Sequence, residues 1–202
     1  MNASTSRTLR IEPRAATLAI HADPLVEADY RVDWTGIKPR VRESGDEIKV
    51  DYTARTRLRA LSPRPGSLSV ALDPDVSWAI QLAGGVGGLR ADLCELQISG
   101  IVISGGASDV VVDLPRPRAQ LSLRIEGGVS GVLVRRPADI PVGLEIDGGA
   151  SNLRIDDTEV GAVGGVVRRR TRGEVGRGRE LAIQVRGGAS RLSIETHDRV
   201  PT

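Results

Sequence analysis

Apolar and polar residues alternate with a period of two through much of the C-terminal two thirds of the chain. The alternation is clearest beside short glycine steps, as in residues 121–125, 181–185 and 192–194. A period of two places successive side chains on opposite faces of a β-strand, so that one face is buried and the other is solvated. The pattern therefore predicts an all-β protein whose short strands meet at glycine corners.

Doubled glycines recur at a nearly constant interval. The pairs begin 21, 22, 21 and 39 residues apart. Their members are Gly84 and Gly85, Gly105 and Gly106, Gly127 and Gly128, Gly148 and Gly149, and Gly187 and Gly188. A period of about 21 residues matches one coil of a β-solenoid; it is too short for a propeller blade, and the leucine-rich frame is absent. The last interval corresponds to one coil plus an insertion of roughly 18 residues, which solenoids tolerate.

The doubled glycines are predicted to be structural corners. Glycine adopts positive φ at no steric cost, which a tight bend between two strands can require. In four of the five copies a serine stands two positions after the second glycine, where it can hydrogen-bond the local backbone. Equivalent corners in stacked coils would let each strand pair with the strands of its neighbours.

The N-terminal region lacks doubled glycines but contains candidate strands. They cover residues 8–11, 17–20, 28–32, 40–42, 47–52 and 67–72. Ser44-Gly45-Asp46 reads as a hairpin turn, and the segment that begins at Asp23-Pro24 is echoed at Asp73-Pro74. We expect residues 1–66 to form an irregular β cap that begins the solenoid; a separate small β domain is the alternative. Residues 67–196 then form the repeats, with an insertion at about 157–180, and 197–202 a tail.

Composition supports a narrow core. Aromatic residues make up 2% of the chain and phenylalanine is absent, while glycine occurs 24 times. Large rings fill wide cores, so their scarcity favours a thin cross-section packed with Leu, Ile, Val and Ala. The net charge of +2 is too small to indicate a general affinity for nucleic acid.

The insertion holds the one strong local concentration of charge in the sequence. Its arginines are Arg168, Arg169, Arg170, Arg172, Arg177 and Arg179. One interpretation is a solvated loop; the other is an arm that binds an anion of nucleic acid, acidic lipid or an acidic partner. No aromatic residue accompanies the arginines to stack a base, which weakens the nucleic-acid version.

Residues that could perform chemistry are few. Nucleophilic catalysis needs a nucleophile, a base and a group that orients the base, and the chain offers Cys94, His21 and His197 in unrelated contexts. Cys94 lies in a strand pattern and reads as a structural thiol. Asp92, Asp109 and Asp113 could form the carboxylate row of a carbohydrate-active β-helix, although no basic residue can be placed beside them. The sequence predicts no catalytic residue, metal ligand or cofactor.

The ladder of Gly-Gly-Ala-Ser corners, the Asp113-Leu-Pro115 step, and Arg136-Pro137 followed by Ile140-Pro141 resemble a bacterial putative-adhesin family. Its members are β-helical domains similar to the toast-rack domains of cell-envelope stress proteins. The resemblance covers roughly residues 65–196 and implies a non-catalytic binding or scaffold module. The partner would be a protein or a surface, and self-association through sheet ends or faces is a further expectation.

The sequence and the family resemblance lead to different expectations about the cellular location of the protein. The first ten residues lack the apolar segment of a signal peptide, and no stretch reaches 18 apolar residues. The default expectation is therefore a cytoplasmic protein without a membrane span. The family resemblance implies an association with the cell envelope instead.

Overall fold

The computed structural model describes residues 6–13, 17–26, 28–52, 66–171 and 179–197, and its regular elements there are all β-strands. The first ten are β1 (Ser6–Ile11), β2 (Thr17–Ala22), β3 (Tyr30–Trp34), β4 (Arg40–Ser44), β5 (Glu47–Asp51), β6 (Ser67–Leu72), β7 (Ser77–Leu82), β8 (Val86–Gly87), β9 (Leu89–Asp92) and β10 (Gln97–Ile103). The others are β11 (Ala107–Asp113), β12 (Leu121–Ile125), β13 (Val129–Pro137), β14 (Val142–Ile146), β15 (Ala150–Ile155), β16 (Thr158–Val163), β17 (Val167–Arg170), β18 (Leu181–Val185) and β19 (Ala189–His197). The predicted all-β solenoid is confirmed.

The described strands form two long sheets with the core between them. The first sheet has nine strands in the order β17-β14-β18-β12-β10-β7-β1-β5-β4. The second has ten in the order β16-β15-β19-β13-β11-β9-β2-β6-β3, and β8 also pairs with β11. Each coil contributes one strand to each sheet, and neighbouring coils pair in parallel. Buried side chains of the described residues are almost all aliphatic, as the composition predicts. Two aromatic residues are also buried: Tyr52, and Trp78, whose indole N–H donates to the carbonyl of Asp73 (2.9 Å).

Coils do not stack in the order in which the chain makes them. The first coil, β1 and β2, lies between β5/β6 and β7/β9. The last coil, β18 and β19, lies between β12/β13 and β14/β15. Both terminal coils therefore have a paired neighbour on each side, which gives their backbone N–H and C=O groups partners that an edge strand would lack.

Antiparallel strands close both ends of the stack. At one end β4 pairs with β5 and β3 with β6. At the other end β16 pairs with β15 and β17 with β14. The described part of the insertion is therefore not a loop, because residues 158–163 and 167–170 extend the two sheets. A charged, oppositely directed end strand discourages pairing with another chain, which an open solenoid end would invite.

The N-terminal region is part of the same solenoid. Strands form near all six predicted segments, and the turn at Gly45 joins β4 to β5 with φ of 58°. β1 pairs with β7 from Ser6 opposite Ser77 to Ile11 opposite Leu82. The alternative of a separate β domain is therefore wrong. The echo at Asp23 and Asp73 marks one stacked corner, since the two residues follow paired strands.

The doubled glycines occupy equivalent corners, but their main physical reason differs from the predicted one. Of the ten glycines, Gly84 and Gly149 have positive φ. The others are required mainly by space: a Cβ on Gly127 would lie 2.6 Å from the backbone nitrogen of Gly106, and one on Gly187 would lie 2.5 Å from that of Gly128. In four of the five pairs, the first glycine packs against the second glycine of the adjacent coil; Gly84 is the exception.

Positive φ occurs instead four positions after the first glycine of every pair. The residues there are Gly88, Asp109, Gly131, Asn152 and Arg191, with φ between 50° and 64°. Strand register continues across this position, as in the step from Ser108 opposite Ser130 to Val110 opposite Val132. Gly, Asp and Asn adopt this conformation readily, so the sequence did carry a signal; Arg191 is the exception.

A buried carboxylate anchors the N-terminal end. The Asp51 side chain is 3% exposed and accepts hydrogen bonds from Arg40 (2.8 and 3.1 Å) and from Arg42, with the Lys49 ammonium at 3.7 Å. The hydrogen bond from Arg40, followed by that from Arg42, lowers the pKa of Asp51 below its ordinary value despite the opposing effect of burial. Since β4 supplies both arginines, this cluster fastens the end strand to β5.

Stability is expected to fall in acid partly through Asp51. Its pKa is lowered in the folded protein, so its contribution is present above the ordinary aspartate value of about 3.9 and is lost as the pH falls through the lower folded pKa. Urea unfolding of wild type and Asp51→Asn between about pH 6 and about pH 2 measures this contribution. The variant should be less stable at neutral pH and lose less on acidification; parallel curves for both proteins would contradict the assignment.

Candidate binding site

The structure separates the arginines of the insertion. Arg168 pairs with Glu145 (2.6 Å) and Arg170 with Glu180 (3.2 Å), so two of the three guanidinium groups on β17 are already neutralised within the chain. Arg169 has no carboxylate partner among the described residues. Arg172 and Arg177 lie outside the described residues, and Arg179 lines a different cavity from the β17 arginines.

The cavity lined by Arg179 lies beside the segments that connect strands of the second sheet to the next strands of the first sheet. These segments are on the edge of the solenoid opposite the doubled glycines. It has a volume of about 630 Å³. Its wall includes Glu95, Leu96, Gln97, Ile98, Pro115, Arg116, Pro117, Arg118 and Arg179. We call it the arginine cavity.

The arginines of this cavity are held in place by their own corner. In residues 115–118 the two prolines are buried and the two arginines are exposed, so the segment alternates like a strand. Arg116 donates two hydrogen bonds to Asp139 of the adjacent corner, at 2.6 and 2.8 Å. These hydrogen bonds are the main reason that the pKa of Asp139 is lowered, and the charge of Arg179 adds to the effect. Fixed proline φ angles further restrict where the guanidinium groups can point.

Arg118 is oriented by a neutral partner. Its guanidinium donates to the side-chain oxygen of Gln97 (2.7 Å), and the Gln97 amide donates in turn to the carbonyl of Pro74 (3.2 Å). No carboxylate in the described ranges pairs with Arg118, which therefore keeps its positive charge at a defined position. Arg116 and Arg118 are not among the predicted site residues, although the Pro-Arg-Pro-Arg segment in a longer corner marks them in the sequence.

Cys94 and His197 come together although they are far apart in sequence. The thiol lies 3.7 Å from the His197 Nε2, which also lies 3.1 Å from the carbonyl of Leu114. A carbonyl oxygen can only accept, so Nε2 carries the proton and has no lone pair with which to deprotonate the thiol. His197 is the last residue of β19, whereas His21 lies on β2 in another coil. The geometry fits a structural thiol better than an activated one.

The three aspartates of the expected carboxylate row are not all adjacent. Asp92 and Asp113 are neighbours on paired strands, and Arg135 comes next in the same column and pairs with Asp113 (3.1 Å). Asp109 lies apart at the positive-φ position. Asp92 and Asp113 are thus adjacent, and Asp109 is not part of the same row. In the described ranges, no three His, Cys, Asp or Glu side chains are placed to hold a metal ion.

The fold defines a capped two-sheet β-solenoid. Residues 2–135 match the family described as the N-terminal domain of toast_rack, DUF2154. Because this match spans more than half of the chain, the protein belongs to that family, and the resemblance noted from the sequence is confirmed.

A solved structure shares the whole fold. The crystal structure of a putative cell adhesion protein from Clostridium sporogenes is similar with a TM-score of 0.61 and 16% sequence identity. The similarity covers 96% of this chain and 93% of that one. At this identity the likeness concerns the fold. No curated protein matches the chain significantly. The part of the chain that the structure describes contains no helix long and apolar enough to cross a membrane.

Proposed function

We propose that this protein is a non-catalytic binding module that presents the outer faces of a rigid β-solenoid to a protein or surface partner. The observation that carries the proposal is the continuous core of stacked coils closed at both ends, which places the outward-facing positions of the described strands on a regular framework. A rigid framework reduces the entropy lost on binding. The cell-adhesion description of the similar crystal structure is consistent with this role.

Binding without turnover is the expected result. The protein is immobilised on a biosensor and exposed to a panel of proteins, neutral and anionic glycans, and vesicles, and the same panel is assayed for products. We expect saturable binding to a protein or surface component and no product. Glycan or peptide turnover that disappears in Asp113→Asn or Cys94→Ser would overturn the proposal.

Light scattering over a concentration series tests self-association; a monomer throughout would remove assembly from the proposal.

The free charge of Arg169 favours a second candidate, anion binding through the arginine segment 168–179. Binding to DNA, RNA or anionic vesicles would then weaken with salt and with Arg169→Gln. Absence of binding at low salt would dismiss this candidate.

A further inference from the structure

We infer that the arginine cavity binds a short acidic peptide segment of a protein partner, with peptide carboxylates on Arg118 and Arg179 and aliphatic side chains on Ile98 and Ala119. This inference rests on the proposed binding function and specifies where and what the module binds. Among the residues that the structure describes, three arginines line the cavity against one glutamate, Glu95. Because Asp139 holds Arg116, the charge available to a ligand comes mainly from the other two arginines.

Guanidinium groups at a half-apolar wall favour carboxylates. A guanidinium offers parallel N–H donors that match the two oxygens of a carboxylate. The buried rings of Pro115 and Pro117 and the side chain of Leu96 exclude water from one side of the cavity. Lower local polarity strengthens the attraction between opposite charges. Gln97 already restrains Arg118, so less side-chain freedom is lost when a ligand arrives.

The remaining wall favours a peptide over a nucleic acid or a sugar. No aromatic side chain lines the cavity among the residues that the structure describes, so neither a base nor a sugar ring has a stacking surface. The aliphatic and proline side chains suit an apolar residue next to an acidic one. The volume of about 630 Å³ lies within the range typical of sites that enclose a small ligand or a few side chains.

Fluorescence anisotropy with a labelled heptapeptide of alternating glutamate and leucine tests the inference. The comparison peptide carries glutamine in place of glutamate, and inorganic phosphate is added as a competitor. We expect the acidic peptide to bind and the glutamine peptide to bind at least about tenfold more weakly, with an affinity that falls as salt rises. The double variant Arg118→Gln/Arg179→Gln should weaken binding by about tenfold or more, because it removes the two guanidinium charges of the cavity that are not hydrogen-bonded to Asp139.

The matched control is Arg154→Gln/Arg191→Gln, which removes the same charge from exposed positions of the second sheet and should leave the affinity within about twofold. Equal melting temperatures of the two double variants would show that both are folded. No binding by the folded wild type, or equal losses in both double variants, would overturn the inference while leaving the binding-module proposal to its own panel. Acetate is added as a second competitor in a separate titration. If phosphate displaces the labelled peptide at concentrations at which acetate does not, the site selects phosphate over carboxylate, and this would also overturn the inference.

Discussion

Replacing Gly127 by alanine is expected to lower the free energy of unfolding by about 3 kcal/mol, because the added Cβ forces two coils apart. In the native geometry that Cβ would lie 2.6 Å from the nitrogen of Gly106 and 2.8 Å from the carbonyl carbon of Gly105. Backbone atoms cannot move aside as a flexible side chain can. Thermal and urea unfolding should show the melting temperature falling by about 6–12 °C.

Gly100→Ala is the matched control for the corner variant. Gly100 lies within β10, and a Cβ there would meet the Ser122 hydroxyl at 3.7 Å, an ordinary contact. Alanine restricts the unfolded chain more than glycine does, so this variant should be as stable as wild type or slightly more stable. Equal stability of Gly127→Ala and Gly100→Ala would contradict the packing of glycine on glycine between coils.

Arg136→Leu is expected to destabilise the protein by about 3 kcal/mol, because it removes the hydrogen-bond donor of a buried polar corner. Arg136 is 1% exposed, donates to the carbonyls of Pro137, Ala138 and Ile140, and pairs with Asp156 at 2.6 Å. Leucine would leave these acceptors without their donor. Urea unfolding measures the loss.

The neighbouring arginine provides the control. Arg135 is 38% exposed and pairs with Asp113 on the outer face, so Arg135→Leu should cost less than about 1 kcal/mol. Asp156→Asn should be intermediate at about 1 kcal/mol, since asparagine tolerates the φ of 49° at this position and Arg136 keeps its carbonyl acceptors. If both arginine variants cost the same, burial does not set the contribution of Arg136.

Local periodicity was sufficient to predict most of the strands and the doubled-glycine corners, but not β16 and β17 in the insertion. Alternation of apolar side chains follows from the pleat of a strand, and this is why residues 121–125 and 181–185 could be assigned without a structure. Doubled glycines at Gly105 and Gly127 marked a recurring close approach of backbones. Even so, positive φ was predicted as the reason for the glycines, whereas most of them are required by the close packing of adjacent coils. The distance between coils cannot be inferred from the sequence of a single repeat.

The cavity and the insertion needed the three-dimensional fold. Arg118 and Arg179 are 61 positions apart in the sequence, and they line one cavity because the last coil is placed beside β12. Glu145 and Glu180 neutralise Arg168 and Arg170 because β17 folds back on β14. The order of charges along the chain indicates neither the shared cavity nor these ion pairs.

The presence of strands, the positions of the glycine corners and the narrow aliphatic core can be predicted from the sequence, since each depends on residues that are close together along the chain. The stacking order of the coils, the closure of both ends and the grouping of the arginines depend on which coils pair. That choice is made by long-range contacts such as β1 on β7 and β18 on β12, whose energies accumulate over whole strands and leave no local signature.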